Sequence, residues 1–203
     1  MADAYEKFIL SISADEYWKR IVESGWLECL PLDKYLELEE NVRQAFLRNP
    51  LYAHSSLAVT IVDSEFCSEH PYKDLLEELE SNSFGQFQPR DIREVWKDDH
   101  FEVAFTLDNQ LCKFTANNYA DYYDDQIIHL INTKITEQGI TSQFLTLPAS
   151  DQCFFFVFVN PDVYRKAQKL KVIPPQKFFL IRDGMISQNL DQYLRTFYEA
   201  LEK

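Results

Sequence analysis

Cys153-Phe154-Phe155-Phe156-Val157-Phe158-Val159 is the longest unbroken apolar stretch in this chain of 203 residues. It falls far short of the roughly 20 residues that a membrane helix needs, so it reads as a buried strand. Upstream, Thr141 to Leu147 reads as a partner strand, separated from it by Pro148-Ala149-Ser150-Asp151-Gln152. Downstream, Asn160-Pro161 is a cap followed by a first-turn proline, opening a helix over about 161–170 that aligns Val163, Ala167 and Leu170. Pro174-Pro175 ends that unit. Lys177 to Ile181 follows as a short strand, Arg182-Asp183-Gly184 as a turn, and about 187–202 as a helix with Leu190, Leu194, Phe197 and Leu201 on one face.

The middle of the chain has the alternation of an antiparallel meander with one wet face. Ile92, Glu94 and Trp96 alternate with Arg93, Val95 and Lys97, and Phe101, Val103, Phe105 and Leu107 alternate with His100, Glu102, Ala104 and Thr106. Asp108-Asn109 is a tight-turn dipeptide, and Leu111 to Ala116 is the return strand. A helix over about 120–138 carries an isoleucine stripe of Ile127, Ile128, Ile131 and Ile135, with Gly139 as its stop.

The first third reads as mostly helical. Ser13-Ala14-Asp15-Glu16 is a capping box before Tyr17, Trp18, Ile21 and Val22, and Gly25 ends that helix. A second helix is expected from about Leu32 to Arg48, a strand from Ser56 to Val62, and a third helix from His70 to Glu80. The turn-rich Ser81 to Pro89 is the best boundary, although Phe84 and Phe87 argue against a free tether. The expected class is therefore α+β: a helical N-terminal portion, 1–83, packed on an antiparallel sheet layered with helices, 90–203. The two portions read equally as one continuous domain.

With 46% apolar and 15% aromatic residues, the composition excludes a fibre, a membrane span and a disordered tail. Cys29, Cys67, Cys112 and Cys153 are widely spaced and form no CxxC pair, which suits reduced thiols in a cytoplasmic protein. The N-terminus lacks the pattern of a secretory signal. The net charge of −13 is unevenly placed: residues 1–150 carry −15 and residues 151–203 carry +2. Such a balance disfavours nucleic acid and anionic membrane surfaces and favours a basic protein partner.

Four glycines, each accounted for by local punctuation, leave no phosphate-cradling loop and no dinucleotide fingerprint, and no cofactor is expected. Asp125 lies one helical turn before His129 and could orient an imidazole base or ligand. Glu65, Cys67, Glu69 and His70 form a second cluster that could hold a metal or pair a thiolate with an imidazole. A metal-dependent or Cys/His hydrolase built on either group is one reading. A binding protein is the other, centred on Asp121, Tyr122, Tyr123, Asp124 and Asp125 with Asp98 and Asp99. Tyrosines among aspartates give amphipathic contact area with negative charge.

The block from Trp96 to Val159 resembles small acidic bacterial immunity-type proteins encoded beside polymorphic toxins. The resemblance lies in the order of its parts: Lys97-Asp98-Asp99-His100, the Phe101–Phe105 strand, the Asn118–Asp125 entry, the isoleucine helix with Asn132, and the paired strands. It implies tight binding and neutralisation of a toxin domain without catalysis. A structural or regulatory interaction protein shares the same acidic surface, and a homodimer stays open, its sign being an apolar strand edge or patch.

Overall fold

The computed structural model describes residues 2–63, 68–117, 123–149, 153–176 and 178–179. It is an α+β fold of six α-helices, three 3-10 segments and six strands among the described residues. The strands form two antiparallel sheets of three, where the sequence reading had one. Helix α1 spans Ala2–Ile9, α2 Ala14–Ser24 and α3 Tyr35–Arg48; strand β1, Thr60–Asp63, and helix α4, Pro71–Ser81, follow. The meander is β2 (Arg90–Lys97), β3 (His100–Leu107) and β4 (Gln110–Asn117), followed by α5 (Gln126–Glu137), β5 (Gln143–Leu147), β6 (Cys153–Val159) and α6 (Pro161–Lys169).

Strand β6 is the centre of the sheet β1-β6-β5, pairing Thr60 with Phe156 on one side and Phe144 with Phe158 on the other. Because side chains alternate across a strand, its seven apolar residues supply two cores at once. Val157 and Val159 face a core built with Tyr5, Ile9, Tyr17, Ile21, Trp26 and Phe46 from the N-terminal helices. Phe156 and Phe158 face a second core, built with Tyr72, Leu76 and Leu79 of α4, the isoleucines of α5, and Phe101, Val103 and Phe105 of the meander. Helices α4 and α5 each touch both sheets, α4 through β1 and β2 and α5 through β4 and β5.

Local chemistry sets most boundaries as read. Ser13 Oγ accepts from the Glu16 N–H at 3.2 Å, and Gly25 leaves α2 at φ +87°, in the left-handed region that a Cβ disfavours. Asp108 and Asn109 take φ +48° and +60°, the paired left-handed residues of a type I′ hairpin. Phe87 is fully buried and packs edge-on against Phe105 and Phe144, so the turn-rich segment is pinned between the sheets.

Other expectations are corrected. Helix α1 was not anticipated from its short apolar run. The helix expected from Leu32 opens as a 3-10 turn over Leu32–Lys34 before α3 begins. The strand expected over Ser56–Val62 starts only at Thr60, because Pro50–Leu57 winds as a 3-10 segment. Asn49 caps it, and the hydroxyls of Ser55 and Ser56 donate to the carbonyls of Tyr52 and Ala53 three residues back, at 2.7 and 2.6 Å. Such local bonds compete with strand pairing. Helix α5 starts at Gln126 rather than about 120. Of the strand expected over 177–181, the described Phe178 and Phe179 are helical. The helix expected over about 187–202 lies outside the described residues.

Two side chains hold the layers in register. Asn132 of α5 donates to the Phe144 carbonyl and accepts from the Phe144 N–H, both at 2.8 Å, so an amide does for the edge strand β5 what a neighbouring strand would do. Buried His54 donates from Nε2 to the Pro148 carbonyl at 2.8 Å and stacks on Phe179. Burial lowers its pKa to about 4.

Asn132→Leu, which leaves both Phe144 backbone groups without their partner, is expected to cost about 2–4 kcal/mol in urea unfolding. His54 binds its proton less readily folded than unfolded, so its contribution is complete above pH ~6.5 and is lost as pH falls through about 4. Urea midpoints measured from pH 7 to pH 3.5 are expected to fall less steeply for His54→Gln, which keeps the donor but cannot titrate; identical slopes would contradict this role.

Candidate functional site

Among the described residues, the acidic candidates lie about one end of the meander. The Asp98-Asp99 turn joins β2 to β3, and the first residue after it, His100, pairs in register with Asn117, the last residue of β4. Asn117 is bound in turn by Asp124. One carboxylate oxygen of Asp124 accepts from the backbone N–H and the side-chain amide of Asn117 at 3.0 and 3.2 Å, and the other accepts from the Gln126 N–H at 3.0 Å. Its own backbone N–H donates to the Tyr72 hydroxyl at 2.9 Å. One aspartate thus ties the end of β4, the start of α5 and the first turn of α4.

That work removes Asp124 from the candidate contact surface, since it is 3% exposed and both its oxygens are engaged. Asp98, Asp99 and Asp125 are exposed, and Asp99 pairs with His100 Nδ1 at 2.8 Å. Tyr123 is half-buried, with its hydroxyl donating to the Pro71 carbonyl at 3.2 Å. Asp121 and Tyr122 lie outside the described residues.

An aromatic chain runs between the two acidic positions. Trp96 meets Phe101 edge-on at 4.6 Å between ring centroids, Phe101 meets Tyr72 at 5.4 Å, and Tyr72 meets Tyr123 at 5.5 Å. Trp96, at the open edge of the meander, is 47% exposed. Burial raises the Tyr72 pKa to about 12, so its hydroxyl keeps its proton. Beside it, Glu94 of β2 accepts from the Lys73 N–H at 2.8 Å and so caps α4 from another element, in place of His70, which makes no side-chain cap. Burial raises the Glu94 pKa, while the bonds from Lys73 and Tyr72 N–H groups pull it back.

The hydrolase candidates are placed differently. Asp125 and His129 line one cavity, of about 340 Å³, under α5. No hydrogen bond or ion pair joins them among the described residues. Glu65 and Cys67 lie outside the described residues, while Glu69 and His70 are exposed just before α4. Among the described residues no group of three or more His, Cys, Asp or Glu is placed to hold a metal ion.

The cavity was not legible in the sequence, because its walls come from five separated elements, β1, α4, α5, β5 and β6. Its floor is aromatic, with Phe144, Phe154 and Phe156 of the β5–β6 pair, and its lip carries Tyr123, Asp125, His129 and Thr146. Val62, Leu75 and Tyr123 are shared with a second hollow of about 260 Å³, whose rim includes Asp63, Asp74 and Glu78. Trp96 and Tyr72 were also missed as site residues. An aromatic closing a strand before an acidic turn and a tyrosine in a first helical turn are weak signals without the fold. Comparison with protein-family models, with curated proteins and with solved structures gives no match. Among the described residues no helix is long and apolar enough to cross a membrane.

Asp124→Asn keeps one acceptor but turns an amide N–H₂ toward donors, leaving a part-buried N–H without its acceptor. It is expected to lower stability by about 1–3 kcal/mol in urea unfolding without altering the slope. A variant as stable as the parent would contradict the junction described.

Proposed function

We propose that this chain is a non-catalytic acidic binding protein of the cytoplasm. In this reading it is an immunity or inhibitor protein that neutralises a basic toxin domain by direct contact. The observation that carries the reading is the Trp96–Phe101–Tyr72–Tyr123 chain of rings, flanked at one end by Asp98 and Asp99 and at the other by Asp125. Aromatic anchors with a charged rim suit an interface in which desolvation gives affinity and charge gives rate.

The parts have distinct duties. Trp96 and Tyr123 offer contact area at low entropic cost, because Trp96 is packed on one side and Tyr123 is held through its hydroxyl. Asp98, Asp99 and Asp125 attract a cationic surface before contact, and Asp121 and Tyr122 join them from the same connection in the sequence. Asp124 and Tyr72 act behind the surface by fixing the start of α5, beside Asp125, against the end of β4.

The test is stopped-flow association with a basic protein identified by pull-down on this chain. The rate is expected to fall about tenfold or more between about 50 mM and about 500 mM salt. The triple variant Asp98→Asn, Asp99→Asn, Asp125→Asn is expected to associate slowly at low salt with little change in dissociation. An association rate indifferent to both salt and the triple variant would overturn the reading.

A further inference from the structure

Two adjoining hollows share Val62, Leu75 and Tyr123 as lining. The one under α5 is the more enclosed and is lined by Phe144, Phe154 and Phe156. The other is more open and is rimmed by Asp63, Asp74 and Glu78; Glu78 Oε1 also accepts from Thr60 Oγ1 at 2.6 Å and from the Asn82 side-chain amide at 3.0 Å. Among the described residues that line either hollow there is no Lys or Arg. The deep hollow, at about 340 Å³, lies within the size range of sites that enclose a ligand group, and its mix of apolar walls with a few polar atoms is that of such sites.

We infer that the two hollows act as one groove and take a linear segment of the basic partner in which a large apolar side chain adjoins a Lys or Arg. The apolar side chain fills the hollow under α5, and the cation lies over the acidic rim. This rests on the reading of the chain as a binder of basic proteins and gives that reading its point of insertion. Complementarity argues for it from both ends: an aromatic floor rewards an apolar group, and a rim of carboxylates rewards a neighbouring cation while disfavouring an acidic segment. The floor is rigid, since Phe144 is fixed by Asn132 through both its backbone groups and Phe156 is paired to Thr60 in the central strand. The lip is set by Tyr123, whose hydroxyl is held by Pro71.

The test titrates the full chain, labelled with ¹⁵N, with the peptide acetyl-Ser-Phe-Arg-Arg-Ser-amide and with two controls, one with Phe replaced by Ala and one with both Arg replaced by Gln. The parent peptide is expected to shift the amides of α5, β5 and β6. Each control is expected to bind about tenfold more weakly or worse. Thr146→Phe, which fills the deep hollow from a half-buried position facing it, is expected to abolish the shifts, and the exposed-rim variant Asp74→Asn to weaken binding several-fold. Equal binding of the Ala control, or shifts unaffected by both variants, would overturn the groove while leaving the acidic docking end intact. Lysine homopolymer, a purely cationic probe, separates the two: if neither it nor the peptide binds at low salt, both readings fall.

Discussion

Strand β6 has no polar face, and a strand of that kind must be covered twice. Every larger feature of the molecule follows from how the chain does so. The N-terminal helices with α6 cover the side of Val157 and Val159, and α4 and α5 cover the side of Phe156 and Phe158. The meander then covers those two helices from outside, and Phe87 reaches between the sheets to touch Phe105 and Phe144. The edges of this central sheet are the weak points, and one is closed without a further strand. Asn132 satisfies β5 from a helix, and in doing so it fixes the distance between α5 and the floor of the cavity.

The same layering explains where the acidic residues can act. Charge in this chain is not spread evenly, but a carboxylate is useful to a partner only if the fold leaves it free. Asp124 and Glu94 are withdrawn from the surface to cap helices and to close the end of the meander. Other acidic residues are paired within one helix, as Glu16 with Arg20 and Glu137 with Lys134, or between α2 and α3, as Asp15 with Arg43. At the end of the meander, Asp98 and Asp125 remain exposed beside an aromatic chain that the hydrophobic core itself supports. The proposed docking end shares its parts with a structural junction: the Tyr72 hydroxyl accepts from the Asp124 N–H, and the Tyr72 ring packs edge-on against Tyr123.

Much of the fold was legible in the sequence because it rests on strong local rules. Alternation gave the meander, the isoleucine stripe gave α5, and Ser13 with Gly25 bounded α2. What was not legible depends on partners far along the chain. The 3-10 winding of Pro50–Leu57 is chosen by serine hydroxyls and an asparagine cap over an apolar composition that also suits a strand. The division into two sheets depends on β1 reaching β6 across about 90 residues. Of the candidate site, the exposed aspartates and Tyr123 are proposed from composition, whereas Trp96, Tyr72 and the cavity need the packing to bring them together. Asp124 shows the limit most plainly, because nothing in a run of tyrosines and aspartates marks the one that is turned inward.

The end of the meander, backed by Tyr72 and Phe101, is the surface we propose to meet a basic protein partner. Hydrogen–deuterium exchange of the chain, free and in complex with that partner, tests it most directly. Protection on binding is predicted for the segment from Glu94 to Phe101 and for the start of α5, with α3 and α6 exchanging as they do in the free chain. Protection centred on α3 or α6, with the end of the meander unchanged, would contradict the account.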